Sequence, residues 1–159
     1  MNPILDRTFP SSANSAASLR SSVPPGILYL DDDEMIRSIY GEILLRAGYS
    51  ADLAGDGLAG WEALQRKKYD LLITDHDMPQ MTGLALAVRA RDAGMELPII
   101  IASGHAWLTN HDAYAWLRLS PSLQKPFTPD DLLQSVEAVF PPLGKESGCP
   151  SPSRMRRVR

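Results

Sequence analysis

Between residues 26 and 139 the chain alternates two hydrophobic patterns. Short, continuous apolar runs, "GILYL" (26–30), "YDLLITD" (69–75) and "LPIIIAS" (97–103), are bounded by polar or turn-forming residues, which predicts strands covered on both faces. A weaker run, "YSADLA" (49–54), predicts an edge or near-edge strand, and "SLQK" (122–125) a short last one. Between the runs, apolar residues recur at helical spacing. Met35, Ile36, Ile39, Tyr40, Ile43, Leu44 and Ala47 share a face, with Asp33 placed as N-cap and Gly48 as the stop. Further helices are predicted near 58–66, 84–92, 107–118 and 129–139, the last opened by Thr128 as cap and Pro129 at the first helical position. Five βα units in about 115 residues predict an α/β fold, a doubly wound five-stranded parallel sheet with helices on both faces.

Composition narrows this picture. With 159 residues, 44% hydrophobic and 22% charged, the chain has material for one good core. Residues 1–25 are rich in Ser, Ala and Pro without a sustained period, so they are expected to be a flexible N-terminal segment. Residues 142–159 share that bias and end in Arg154, Arg156, Arg157 and Arg159; they are expected to form a flexible, solvated basic tail around the foldable residues 26–141. A net charge of −3 supplies no bulk attraction to nucleic acid or a membrane surface. No apolar run approaches the roughly 18 residues of a membrane span, and the first residues lack a leader pattern. With a single cysteine, Cys149, these features point to a cytoplasmic protein.

Chemistry enters at the strand ends. In open α/β sheets, ligands bind outside the carboxyl ends of the strands, where the strand order reverses. The chain places polar residues there repeatedly: Asp31, Asp32 and Asp33 after the first strand, Asp75 and Asp77 after the third, Ser103 after the fourth and Lys125 after the fifth. Carboxylates gathered on one rim repel, and their pKa values rise unless a cation neutralises them. An oxygen-only donor set without a His or Cys cluster suits a hard ion, Mg²⁺ before Ca²⁺ because the loops are short.

The segments "ILYLDDDEMIR", "DLLITDHDMPQMTG", "PIIIASGHA" and "LQKPF" stand in an order and spacing that resembles the receiver domain of two-component response regulators, over residues 26 to 140. The resemblance implies a flavodoxin-like strand order, 2-1-3-4-5, and a phosphoryl group received from a histidine kinase or histidine phosphotransfer protein onto Asp75. It implies Mg²⁺ held by the side chains of Asp32 and Asp75 and the backbone carbonyl of Asp77, with Asp31 acting through water. Lys125 and the Ser103 hydroxyl would bind the phosphoryl oxygens. It further implies a cis bond before Pro126, and Gly83 in a loop position closed to any Cβ. Asp77 and His105 would flank the path of hydrolytic water.

Several residues have plainer readings. Asp33 is expected to cap a helix, and Asp56 with Gly57 to open the next one. His76 points away from Asp75 and is expected at the surface or in packing, while Trp107, Tyr114 and Trp116 are expected to pack rather than form a partner face. Two departures stand out: Ser122 occupies the place where many family members carry a switch aromatic, and Ser103 replaces the commoner Thr. "ITDHDMP" also opens like a haloacid-dehalogenase-type phosphatase, with Asp75 and Asp77 as nucleophile and acid/base. Against that reading, the acidic pair precedes Asp75 and Pro79 follows it. A receiver fold that only binds is the other alternative. No segment after residue 140 is long enough for an output domain, so the expected output is through an unknown downstream protein, from a monomer or weak homodimer, as a stand-alone regulator or phosphorelay intermediate.

Overall fold

The computed structural model describes residues 23–104, 115–120 and 122–140. Five strands form one sheet: β1 (Gly26–Leu30), β2 (Ser50–Ala54), β3 (Leu71–Asp75), β4 (Ile99–Ser103) and β5 (Leu123–Gln124). All pair in parallel, in the order β2-β1-β3-β4-β5. Among the described residues four α-helices accompany them: α1 (Glu34–Arg46), α2 (Gly57–Arg66), α3 (Gly83–Asp92) and α4 (Pro129–Val139). None of them is long and apolar enough to cross a membrane.

Alternation along each strand builds two cores. In β3, Leu71 and Ile73 face one side and Leu72 the other, as a period of two requires. Leu28, Leu30, Leu72, Ile99 and Ile101 pack with Trp61 and Leu64 of α2 and Leu86 and Ala87 of α3. Ile27, Tyr29, Leu71, Ile73 and Ile100 pack with Leu44 of α1 and Leu132 and Val136 of α4. Every residue of β3 and β4 is buried, which explains why those runs are continuously apolar in sequence. Each buried Leu or Ile in these strands contributes about 1.5–3 kcal/mol when taken out of water.

Helix starts follow local chemistry. The Asp33 carboxylate accepts from Met35 N at 2.8 Å and Ile36 N at 3.1 Å, and Asp56 accepts from Ala59 N at 2.8 Å. Thr128 and Asp131 form a reciprocal capping box with Pro129 inside the first turn. Gly48, at φ +91, ends α1 in a conformation that favours glycine.

Strand limits are tighter than the apolar runs suggest. Tyr69 lies outside β3, whose pairing with β1 begins at Leu71, and its hydroxyl donates to Asp52 Oδ2 at 2.7 Å. β5 stops at Gln124, two residues before Pro126, which has no N–H for a ladder. The helix expected near 107–118 falls largely on residues outside the described ones; within it, Ala115–Leu117 form a 3₁₀ turn. The expected flexible segments also lie outside the described residues, except at 23–25. At the amino ends of the strands, Ser50 N donates to Pro25 O at 3.0 Å, and the ring of Phe140, beyond α4, lies 6.0 Å from that of Tyr49.

Candidate functional site

The order of strand addition reverses between β1 and β3: β2 is laid down on one side of β1, and the chain then crosses back to place β3 on the other. Their carboxyl ends therefore flank a crevice of the kind that holds ligands in such sheets. Asp31 follows β1 directly and is 1% exposed; Asp75 ends β3 and is 4% exposed. Asp32 is exposed at the rim. One carboxylate oxygen from each of the three lies within 4.8 Å of the others.

Three groups compensate this negative charge. Asp33 N–H donates to Asp31 Oδ1 at 3.0 Å, and Asp77 N–H to Asp75 Oδ1 at 3.2 Å. Lys125 Nζ donates to Asp75 Oδ2 at 2.7 Å and stands 3.5 Å from Asp31 Oδ2. Register sets the lysine there: Ser103 pairs with Gln124 across β4 and β5, and Lys125 N–H donates to Ser103 O at 2.9 Å. Ser103 itself is 3% exposed.

The compensation is incomplete. Burial pushes the Asp31 carboxyl above its ordinary pKa; the Asp33 N–H and Lys125 oppose this, while the charges of Asp75 and Asp32 add to it. Burial draws the Lys125 ammonium down, but its hydrogen bond to Asp75 and the charges of Asp75 and Asp31 outweigh this and raise it. Among the described residues Asp31 Oδ2 accepts no hydrogen bond although it is buried. Three hard oxygen donors and an orphaned buried carboxylate oxygen fit a small divalent cation of the Mg²⁺ type.

The sequence-derived residues Asp31, Asp32, Asp75 and Lys125 thus come together, with Ser103 on the adjoining strand end and the Asp77 amide on Asp75. Asp33 caps α1, as expected. Gly83 differs from expectation: it is the first residue of α3, not a loop residue. A Cβ there would collide with the Asp75 carbonyl oxygen, so the start of α3 sits against the end of β3. His76 is half-buried, and its backbone N–H donates to Ala102 O at 2.8 Å. Trp116, expected to pack, is 53% exposed; Trp107, Tyr114 and His105 lie outside the described residues. Ser122 is exposed. The aromatics near the Lys125 loop are instead Tyr40 and Phe127, with ring centroids 5.0 Å apart and Tyr40 OH donating to Phe127 O at 3.0 Å.

Sequence reasoning missed Arg37. Its Nη1 donates to Asp31 O at 2.7 Å and reaches Asp32 O at 3.5 Å. The only available signal was a cation one helical turn beyond the cap Asp33.

Known proteins show the same arrangement of sequence and fold. Residues 27–137 match the family model described as response regulator receiver domain. The transcriptional regulatory protein RprY of Bacteroides fragilis is 36% identical over 116 residues, spanning 72% of this chain and 48% of that protein. The chain spans about half the length of several curated relatives of this kind. The response regulator receiver protein CpdR of Brucella abortus is 36% identical over 115 residues, covering 72% of this chain and 95% of that protein. Among solved structures, the response regulator TrrA of Thermotoga maritima in complex with Mg(2+)-BeF superposes with a TM-score of 0.64 at 29% identity, covering 72% of this chain and 98% of that one.

Proposed function

Since the chain belongs to the response regulator receiver domain family, we propose that it takes a phosphoryl group onto Asp75 from the phosphohistidine of a histidine kinase or histidine phosphotransfer protein. The observation that carries this reading is the contact between Lys125 Nζ and Asp75 Oδ2, 2.7 Å, in a pocket shared with the Asp31 and Asp32 carboxylates. An Asp75 oxygen attacks phosphorus and forms an acyl phosphate as the P–N bond to the donor imidazole breaks. The imidazole leaves with the electron pair and takes up a proton.

In this reading Asp32 and Asp75 would hold Mg²⁺ through carboxylate oxygens, with the Asp77 carbonyl as a further oxygen donor and Asp31 acting through water. The ion supplies positive charge against the equatorial phosphoryl oxygens. Lys125 turns from Asp75 Oδ2 to the incoming phosphoryl group, so its charge is already in place when that group arrives. The Asp77 N–H orients Asp75 through Oδ1, leaving Oδ2 as the oxygen shared with Lys125. Ser103, at the neighbouring strand end, donates its hydroxyl to the phosphoryl group. The dehalogenase-type alternative gains no support: the acidic pair Asp31 and Asp32 directly follows β1, ahead of Asp75 in the chain, and residues 27–137 match the receiver-domain family.

The test is incubation with acetyl phosphate and Mg²⁺ followed by intact mass. Wild type is expected to gain one base-labile phosphoryl group, dependent on Mg²⁺, and Asp75→Asn none. Equal labelling of both would overturn the assignment.

A further inference from the structure

Arg37 lies on the second turn of α1, yet its guanidinium is directed back over the loop that precedes the helix. Nη1 donates to the Asp31 carbonyl at 2.7 Å and lies 3.5 Å from the Asp32 carbonyl. Those two carbonyls belong to the acidic residues whose side chains enter the site. Across from the guanidinium is Gly55, directly after β2. A Cβ built on Gly55 would stand 3.1 Å from Arg37 Nη1 and 3.4 Å from Cζ, tighter than ordinary packing. Gly55 requires no unusual backbone angle: its φ lies outside the positive region, so the space itself is what the missing side chain provides. Nearby, Asp31 N–H donates to Ala54 O at 3.3 Å, which joins the same two loops by the backbone.

We infer that Arg37, seated against Gly55, is a positioning residue that fixes the Asp31–Asp32 backbone so that both carboxylates face Asp75 and can share one divalent cation. The inference rests on the metal-binding reading of the same site. The mechanism is geometric. Three carboxylates converging within 4.8 Å repel one another, and an unrestrained loop would relax by turning Asp31 or the exposed Asp32 outward. A planar guanidinium on the two carbonyls opposes that rotation from behind. Groups of this kind, which hold ligands without touching the metal, typically set metal affinity by roughly 10–100-fold.

The test compares wild type, Arg37→Met, Arg37→Lys and Gly55→Ala by Mg²⁺ titration calorimetry and by amide exchange without metal. Arg37→Met keeps the aliphatic stem and removes the donor; the expected loss of Mg²⁺ affinity is about tenfold, with Arg37→Lys between it and wild type. Gly55→Ala displaces the guanidinium without altering it and is expected to weaken Mg²⁺ in the same direction. The Asp33 amide, bound to Asp31 Oδ1, reads the loop directly: its exchange is expected to accelerate in Arg37→Met while amides of β3 and β4 do not change. A general loss of stability would instead raise exchange across β3 and β4 alike. Unchanged Asp33 exchange in Arg37→Met overturns the inference, whatever the metal does. Wild type that binds no Mg²⁺ overturns the functional reading, while the exchange result still decides the loop's dependence on Arg37.

Discussion

Replacing Asp31 with Asn is expected to stabilise the protein in the absence of divalent metal. At an effective dielectric of about 20, two carboxylate charges within 4.8 Å of each other repel by at least about 3.5 kcal/mol, and opposite charges 3.5 Å apart attract by about 4.7 kcal/mol. Asp75 supplies that repulsion, Lys125 that attraction, and exposed Asp32 a weaker, solvent-screened repulsion. The charge terms nearly cancel. What remains is the cost of burying an ionised carboxylate, several kcal/mol, less about 1.5–3 kcal/mol from the Asp33 N–H on Oδ1. Asn keeps an acceptor for that N–H and removes the buried charge, so a net gain of about 1–2 kcal/mol is expected, roughly 3–10 °C in Tm for a domain of this size. The assay is thermal unfolding in EDTA and again in excess Mg²⁺. With Mg²⁺ at about a hundredfold over Kd, wild type gains about 2.7 kcal/mol, and the variant, lacking one acidic group, gains less. The order of the two proteins therefore narrows or inverts on adding metal. A lower Tm for Asp31→Asn in EDTA would refute the reasoning, because ionised Asp31 would then be stabilised by more than Lys125 and the Asp33 amide.

Other outcomes follow from single contacts. Gly83→Ala places a Cβ against the Asp75 carbonyl oxygen and is expected to cost about 1–3 kcal/mol in urea unfolding and to slow labelling by acetyl phosphate; wild-type behaviour in both would show that α3 shifts without strain. Lys125→Met leaves Asp75 and Asp31 without their cation and is expected to lower metal-free stability by about 1–3 kcal/mol, a loss that excess Mg²⁺ reduces. Asp52 is held below the usual carboxylate range by hydrogen bonds from Lys67 and Tyr69. A depressed folded pKa stabilises above the unfolded value and is lost as pH falls through the folded one. Asp52→Asn is therefore expected to lower Tm slightly at pH 7, the half-exposed pair being worth less than about 1 kcal/mol, with the gap closing below roughly pH 3.8. A gap independent of pH would assign it to packing.

The strand runs of β1, β3 and β4 were legible because those strands are covered on both faces, so burial wrote itself as unbroken apolar sequence. The caps at Asp33, Asp56 and Thr128 were legible because a side-chain oxygen two or three residues before an amide is a local device. Tyr69 misled the start of β3: an aromatic beside an apolar run reads as strand, but the ladder begins only at Leu71, and the Tyr69 hydroxyl reaches Asp52 in β2, on the far side of β1. Gly83 was singled out correctly as a place without room for a Cβ, while its helical position depended on where β3 ended. Arg37 stayed hidden because its partners are carbonyls, which carry no residue identity. Trp116 could not be placed by composition, since exposure of one aromatic is decided by the neighbours it lacks.

The contacts of Pro25 with Ser50 and of Phe140 with Tyr49 have a practical consequence for attachment. Both points where the described domain meets its flanking residues lie at the amino ends of the strands, a strand's length away from the acidic crevice at their carboxyl ends. A tag, tether or fused module joined at either junction departs from that pole, away from the acidic crevice. Immobilising the protein through either junction thus turns the crevice that holds Asp31, Asp32 and Asp75 away from the support.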